Sequence, residues 1–216
     1  LQKDNTSLIY HGRSEIFKPN LDGNCLEEVK KKYNLDKFIL YVSNIYKYKN
    51  FFELIQAFSL IKNQINPNLK LALVGKNFDD QYTESLKALV KEKKMEDCVI
   101  FFGHVPNEEL PYFYMLCQLF VYPSTCENCP NILIESMACG APVLSSNIEP
   151  MPEICQDAAI YFDPFNPQDI AEKIKAVLSN DGLLEKLKQN SIRRANCFSW
   201  EETAIKTLGI MEELNG

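Results

Sequence analysis

Two glutamates eight residues apart, Glu127 and Glu135, are the residues of this chain whose type and spacing best fit chemistry. They lie in the run Pro123-Ser124-Thr125-Cys126-Glu127-Asn128-Cys129-Pro130-Asn131-Ile132-Leu133-Ile134-Glu135-Ser136. The pattern puts Glu127 in a loop and Glu135 inside the helix that follows, expected over residues 131–139. The first turn of such a helix, near Asn131 and Ile132, has backbone N–H groups without intrahelical partners and the positive end of the peptide dipole, which together make an anion site. A carboxylate accepts hydrogen bonds from hydroxyl pairs such as those of a ribose or a hexose. One carboxylate ahead of such a helix and one within it can therefore bracket a bound phosphate. Ile132, Leu133, Ile134, Met137 and Ala138 surround Glu135 with apolar side chains. A buried carboxylate without a partner is costly, so a ligand role explains Glu135 better than a solvated helix face does.

Other chemically capable residues carry less. Cys126 and Cys129 have the C-x-x-C spacing of redox and zinc sites, but no second such pair and no H-x-x-x-H accompanies them. The eight cysteines, mostly in apolar runs, read as reduced, small buried hydrophobes. Asp79-Asp80 precedes a helix and reads as a cap rather than a metal motif. His104 follows a strand and could touch a ligand, though an exposed loop histidine is as good a reading, and Glu153 taken by itself reads as a cap of the next segment.

These residues are carried by alternating strands and helices. Apolar runs at residues 37–42, 69–74, 99–102, 119–122, 142–145 and 159–162 read as strands, with a further short strand at Leu8-Ile9-Tyr10. Helical patterns fall between them, at residues 24–33, from Asn50 onward, and at 80–93, 107–116, 131–139 and 167–178, with two more helices closing the chain. Residues 19–23 read as a turn. Asn50 with Glu53, and Ser199 with Glu202, have the spacing of capping boxes, and Asn166-Pro167 is a cap followed by proline at the first helical position. Strands alternating with helices of this length predict a Rossmann-like open parallel sheet with helices on both faces. Ligands of such sheets bind outside the carboxyl ends of the strands, which directs attention to residues 43–49, 75–77, 103–105, 123–130 and 146–153.

The chain resembles the group 1 glycosyltransferases, the retaining, glycogen-synthase-like family of the GT-B fold. The resemblance rests on Glu127 to Glu135 as the E-x7-E motif and on Phe102-Gly103-His104-Val105. It rests also on Phe120-Val121-Tyr122-Pro123-Ser124, Met137-Ala138-Cys139-Gly140-Ala141-Pro142-Val143, Tyr41 to Asn50, and Phe198-Ser199-Trp200, all in family order and together covering residues 8–214. It implies the C-terminal, donor-binding half of the fold. Residues 1–20 would be the crossover from an N-terminal domain, residues 21–198 the nucleotide-sugar-binding domain, and residues 199–216 a helix packing back toward the N-terminal domain. By the same resemblance Glu135 would hold the ribose hydroxyls, Glu127 would face the transferred sugar, and the amides near Asn131 and Ile132 would meet the diphosphate. Lys49 would neutralise the leaving diphosphate, and Val105 would contact the base through its backbone. Two departures stand out. Ser43-Asn44 replaces the Gly-Arg of many relatives, so an arginine is missing; Lys47 either replaces it or is a surface lysine, and Asn44 is counted with the donor-binding residues. Cys129-Pro130 replaces Phe-Gly, and proline has no N–H to give a phosphate. No catalytic metal and no cofactor are implied.

Composition agrees with an enzyme domain. The chain has 216 residues, 46% hydrophobic and 24% charged, enough for a real core. A net charge of −6 is a poor basis for nucleic-acid binding. No run of about 18 apolar residues could cross a membrane. The start at Leu1, with no initiator methionine and no signal-peptide pattern, points to a fragment of a cytoplasmic protein, with peripheral membrane association open to the full enzyme. The expected partners are a UDP-, GDP- or ADP-sugar and a glycan or lipid-linked acceptor, the latter through the N-terminal domain that the resemblance implies, in bacterial surface polysaccharide synthesis; the fragment alone is expected to be inactive. Two rival functions are a nucleotide-sugar epimerase of the same fold and a non-catalytic nucleotide-sugar-binding module. An NAD dehydrogenase is disfavoured, because the eight glycines form no G-x-G-x-x-G.

Overall fold

Six apolar runs pair into one parallel sheet of order β3-β2-β1-β4-β5-β6. The computed structural model of the chain describes residues 6–19 and 22–215. The strands are β1 (Phe38–Val42), β2 (Lys70–Val74), β3 (Val99–Gly103), β4 (Leu119–Tyr122), β5 (Val143–Ser146) and β6 (Ala159–Phe162). β1 is buried at every position, as are β4 and β5. Near-continuous apolar sequence is what a parallel strand covered on both faces requires. Ile39 and Leu40 of β1 face Leu71 and Ala72 of β2 on one side and Leu119 and Phe120 of β4 on the other.

The helices are α1 (Gly23–Lys32), α2 (Phe51–Ile61), α3 (Asp80–Glu92), α4 (Leu110–Leu116), α5 (Asn131–Ala138), α6 (Met151–Cys155), α7 (Pro167–Leu178), α8 (Asp181–Ala195) and α9 (Trp200–Asn215). Helix α2 shows how the core is closed. Phe51, Leu54, Ile55, Phe58 and Ile61, spaced at three and four, are all buried, and the helix packs on α3 and α7. The caps of α3 and α7 follow expectation: Asp79 accepts from the Tyr82 N–H, and Asn166 accepts from the N–H groups of Gln168 and Asp169.

Several expectations need correction. Leu8-Ile9-Tyr10 forms no strand; the Tyr10 hydroxyl donates to Glu153 and its carbonyl accepts from the Thr203 hydroxyl at 2.7 Å, so tertiary contacts replace sheet pairing. Asn50 does not cap α2 with its side chain. It sits in the left-handed region (φ 52°), and its amide donates instead to the Pro123 carbonyl at 3.0 Å, tying the loop after β1 to the loop after β4. Ser199 caps α9, accepting from Glu201 and Glu202 N–H, but the Glu202 carboxylate pairs with Lys206 rather than completing a capping box. Helix α4 begins at Leu110, three residues later than expected, after a turn closed by Glu109 N–H to the Pro106 carbonyl. The short α6 was not expected. The turn expected at residues 19–23 includes Asn20 and Leu21, which lie outside the described residues. Among the described residues no helix is long and apolar enough to cross a membrane.

Candidate functional site

The strand order reverses between β1 and β4, so a crevice opens at their carboxyl ends, the usual ligand position in such sheets. The loops around it are stitched by backbone hydrogen bonds. Ser43 N–H reaches the Val74 carbonyl at 2.8 Å, Ile45 N–H the Lys76 carbonyl at 2.9 Å, and Gly75 N–H the Gly103 carbonyl at 2.8 Å. Asn44 adds its side-chain oxygen, which accepts from Lys76 N–H at 3.2 Å. The approach is so close that a Cβ on Gly75 would stand 1.9 Å from the Ser43 carbonyl oxygen, and its φ of +148° is itself one that side chains rarely adopt.

Lys49 and Glu127, read separately in the sequence, form an ion pair across this crevice. Their side chains are 11% and 13% exposed, which marks the pair as nearly desolvated. Each is held by a second contact. Tyr122, the last residue of β4, donates its hydroxyl to Glu127 at 2.6 Å, and burial together with that carboxylate holds the phenol well above its ordinary range. The Tyr41 hydroxyl of β1 donates to the Lys49 carbonyl at 2.8 Å, fixing the backbone of a one-turn 3-10 helix, Lys47–Lys49. The Lys49 ammonium also stands 5.1 Å from the centre of the Tyr48 ring. A cation and a carboxylate preorganised side by side, out of bulk water, can stabilise charge that develops on a reacting group.

Glu135 lies one turn inside α5, as its spacing predicts, and lines a separate cavity of about 380 Å³. Asn44, Val105 and Ile132 line the same cavity, so four residues singled out in the sequence converge there. Desolvation raises the Glu135 carboxyl to about 7; the Tyr114 hydroxyl, close by but without a fully formed hydrogen bond, offsets part of the rise. A carboxyl raised to about 7 beside a buried hydroxyl without a hydrogen-bond partner suits a ligand that carries hydroxyl groups.

Not every expected residue joins these two clusters. Lys47 is exposed and lines a different cavity from Glu135. Asn131 opens α5, and its side-chain oxygen faces His11 Nδ1 at 3.0 Å. His11 in turn stacks on Trp200 at 5.6 Å. Pro130 is the N-cap of α5 and provides no side-chain hydrogen bond; its carbonyl takes the Leu133 N–H at 3.0 Å, which leaves the Asn131 and Ile132 amides as the first-turn donors for an outside acceptor. Lys76 was missed as a candidate: it lines the Glu135 cavity together with His104. Its position after Gly75 at a strand end was the available signal. The eight cysteines are free, and among the described residues no group of three or more His, Cys, Asp or Glu is gathered to hold a metal.

The chain is similar to known proteins over most of its length. The family model for glycosyl transferases group 1 matches residues 24–194. O-antigen chain mannosyltransferase B of Escherichia coli is 32% identical over 198 residues, 90% of this chain and 51% of that protein. A glycosyltransferase from Rickettsia africae superposes with a TM-score of 0.87 at 23% identity over 99% of this chain and 58% of that one. The C-terminal domain of the group 1 protein LpcC from Francisella tularensis superposes at 0.74 and 21% identity, over 86% of this chain and 96% of that domain. The chain thus spans about half the length of the curated mannosyltransferase it matches. With the family model covering most of its length and the sheet matching the GT-B glycosyltransferases, this chain belongs to the group 1 glycosyltransferase family.

Proposed function

We propose that this domain holds a nucleotide-diphosphate sugar across the carboxyl ends of β1 and β4 and presents its hexose for transfer, with retention of anomeric configuration. The observation that carries the reading is the Lys49–Glu127 pair, nearly desolvated and placed at the point where the strand order reverses. As the bond between the sugar C1 and the diphosphate oxygen breaks, negative charge builds on the diphosphate. Lys49 and the first-turn amides of α5 at Asn131 and Ile132 meet that charge, while Glu127 faces the sugar. Glu135 takes the ribose hydroxyls, and the Val105 backbone lies beside the base. Asn44 positions the rim by its bond to Lys76, and Lys76 or Lys47 supplies the second cation that Ser43-Asn44 lacks. The chemistry proposed needs no metal.

The mannosyltransferase name of the Escherichia coli relative makes mannose the first sugar to try and a surface-polysaccharide glycan or lipid-linked sugar the first acceptor. The acceptor would be completed by groups outside these residues. Helix α9, which leaves Ile205 and Leu208 exposed, is read as the face toward them. Calorimetry with UDP, GDP and ADP, followed by transfer assays with the matching sugar nucleotide, tests the proposal. The chain alone is expected to bind one nucleotide weakly and to transfer nothing. Absence of binding to all three, or transfer by the chain alone, would refute the corresponding part.

A further inference from the structure

The start of α5 is one donor short. Pro130, at its N-cap, has no N–H to give a phosphate, and the backbone donors that remain are those of Asn131 and Ile132. Asn131 carries a second donor in its side chain. The residue is exposed, and side chains of a helix lean toward its N-terminus, so the Asn131 amide projects at the same open end as these N–H groups. Which of its two atoms faces outward decides whether it attracts or repels an anion.

That choice is made from 120 residues away in sequence. His11 Nδ1 lies 3.0 Å from Asn131 Oδ1. An amide oxygen only accepts, so His11 carries a proton on Nδ1 and donates it. The Asn131 NH2 group is thereby turned away from His11, and among the described residues no protein acceptor takes it. The reverse pairing would present an oxygen to the phosphate instead. The imidazole is itself clamped, stacked on Trp200 at 5.6 Å and 25°. The backbone behind it is fixed to the start of α9. A Cβ on Gly12 would stand 2.0 Å from the Trp200 nitrogen, Arg13 N–H reaches the Phe198 carbonyl at 3.3 Å, and the Thr203 hydroxyl reaches the Tyr10 carbonyl at 2.7 Å. A ring held in this way orients Asn131 before any ligand arrives, which lowers the ordering cost of binding. We propose that the Asn131 side-chain amide is a further phosphate donor, making up for the N–H that Pro130 lacks, and that His11 is the positioning residue that aims it. The inference rests on the transferase reading above, which puts the diphosphate at this helix end.

The test measures UDP, GDP and ADP binding to the chain by calorimetry, and binding of the matching nucleosides by shifts of backbone amide resonances. His11→Phe keeps a ring against Trp200 but removes the Nδ1 donor. For whichever diphosphate binds, this variant is expected to weaken affinity about fivefold, the worth of one hydrogen bond, with nucleoside affinity unchanged. His11→Asn puts an amide N–H where the Nδ1–H stood and should return affinity to within about twofold of the wild type, which separates aiming from any effect on folding. Asn131→Ala should weaken diphosphate binding about tenfold. Adding His11→Phe to it should cost nothing more, because both act through one donor. The proposal is overturned if His11→Phe keeps the wild-type diphosphate affinity, if it weakens nucleoside binding equally, if His11→Asn fails to restore, or if the two losses add. A wild-type chain that binds none of the three diphosphates counts against the transferase reading itself, whereas binding that ignores His11 sinks the present inference alone.

Discussion

Burial has left Glu135 with a carboxyl near 7 against an ordinary 4.5, and this makes the nucleotide role testable by pH. In the unliganded fold the group stays protonated between about 4.5 and 7, while an unfolded chain would already have released the proton. Stability of the free domain therefore falls as pH rises through that window, by at most about 3.5 kcal/mol at roughly 1.4 kcal/mol per unit. Ligand affinity should run the other way. Ribose hydroxyls donating to Glu135 require the carboxylate, of which about one tenth is present at pH 6 and about nine tenths at pH 8 for a group at 7. Apparent affinity is reduced by the competent fraction, so it should rise about tenfold from pH 6 to pH 8. The assay is calorimetry with an intact nucleotide sugar, whose diphosphate has no terminal phosphate titrating near 6. Buffers of different ionisation enthalpy should report close to one proton released per ligand bound at pH 6. Glu135→Gln should flatten the profile and weaken binding at pH 8 by about 1.5–3 kcal/mol, the value of charge-assisted hydrogen bonds. A wild-type affinity that is flat or falls with pH, or a Glu135→Gln variant with the wild-type slope, would refute the reasoning.

Lys49→Ala in the full-length enzyme should slow transfer by about 3 kcal/mol of lost transition-state stabilisation, measured as kcat with donor saturating; unchanged turnover would shift the phosphate role to Lys76 or Lys47. Glu127→Gln should leave nucleoside diphosphate affinity nearly unchanged while turnover falls, and equal loss of both would place Glu127 in the nucleotide pocket. Because Lys49 and Glu127 are paired out of water, the double variant Lys49→Ala/Glu127→Gln should be less destabilised than the sum of the single ones, a departure from additivity readable in thermal or urea unfolding. Gly75→Ala should lower stability by more than about 2 kcal/mol through backbone strain and displace the loops it separates; a wild-type melting temperature would contradict the close approach to Ser43.

Much of the fold was legible because long apolar runs have one good solution each. The strands at 119–122 and 159–162 and the helix at 167–178 fall where expected, since each joins a periodic pattern to a local stop or cap. The failures are tertiary. Asn50 carries a good capping side chain, yet that amide is spent on Pro123, seventy-three residues away in sequence. Leu8-Ile9-Tyr10 has strand propensity, but Tyr10 is drawn instead into contacts with Glu153, Thr203 and Phe198. Helix α6 spans five residues, too few for a helical period to show.

The site divides along the same line. Glu127, Glu135 and the start of α5 share one stretch of chain, so their place before and within the helix could be read from spacing. The partner of Glu127 does not: Lys49 arrives from the loop after β1, and only the parallel pairing of β1 with β4 brings the two together. Once paired, they change the meaning of each. A buried carboxylate or ammonium alone would carry a desolvation cost that the fold could escape only by neutralising it. Side by side, and anchored by Tyr122 and Tyr41 from the same two strands, both are kept in place before any ligand arrives. Under the proposed mechanism a diphosphate takes over the Lys49 charge and a sugar takes over Glu127. The ligand then inherits a preformed cation and anion rather than having to organise them, and the tyrosines that hold the pair become positioning residues. Loss of the Tyr122 hydroxyl should therefore act through Glu127: Tyr122→Phe is expected to lower turnover while leaving nucleoside diphosphate affinity in place, and a variant that lost that affinity while keeping turnover would show the hydroxyl serving the nucleotide instead.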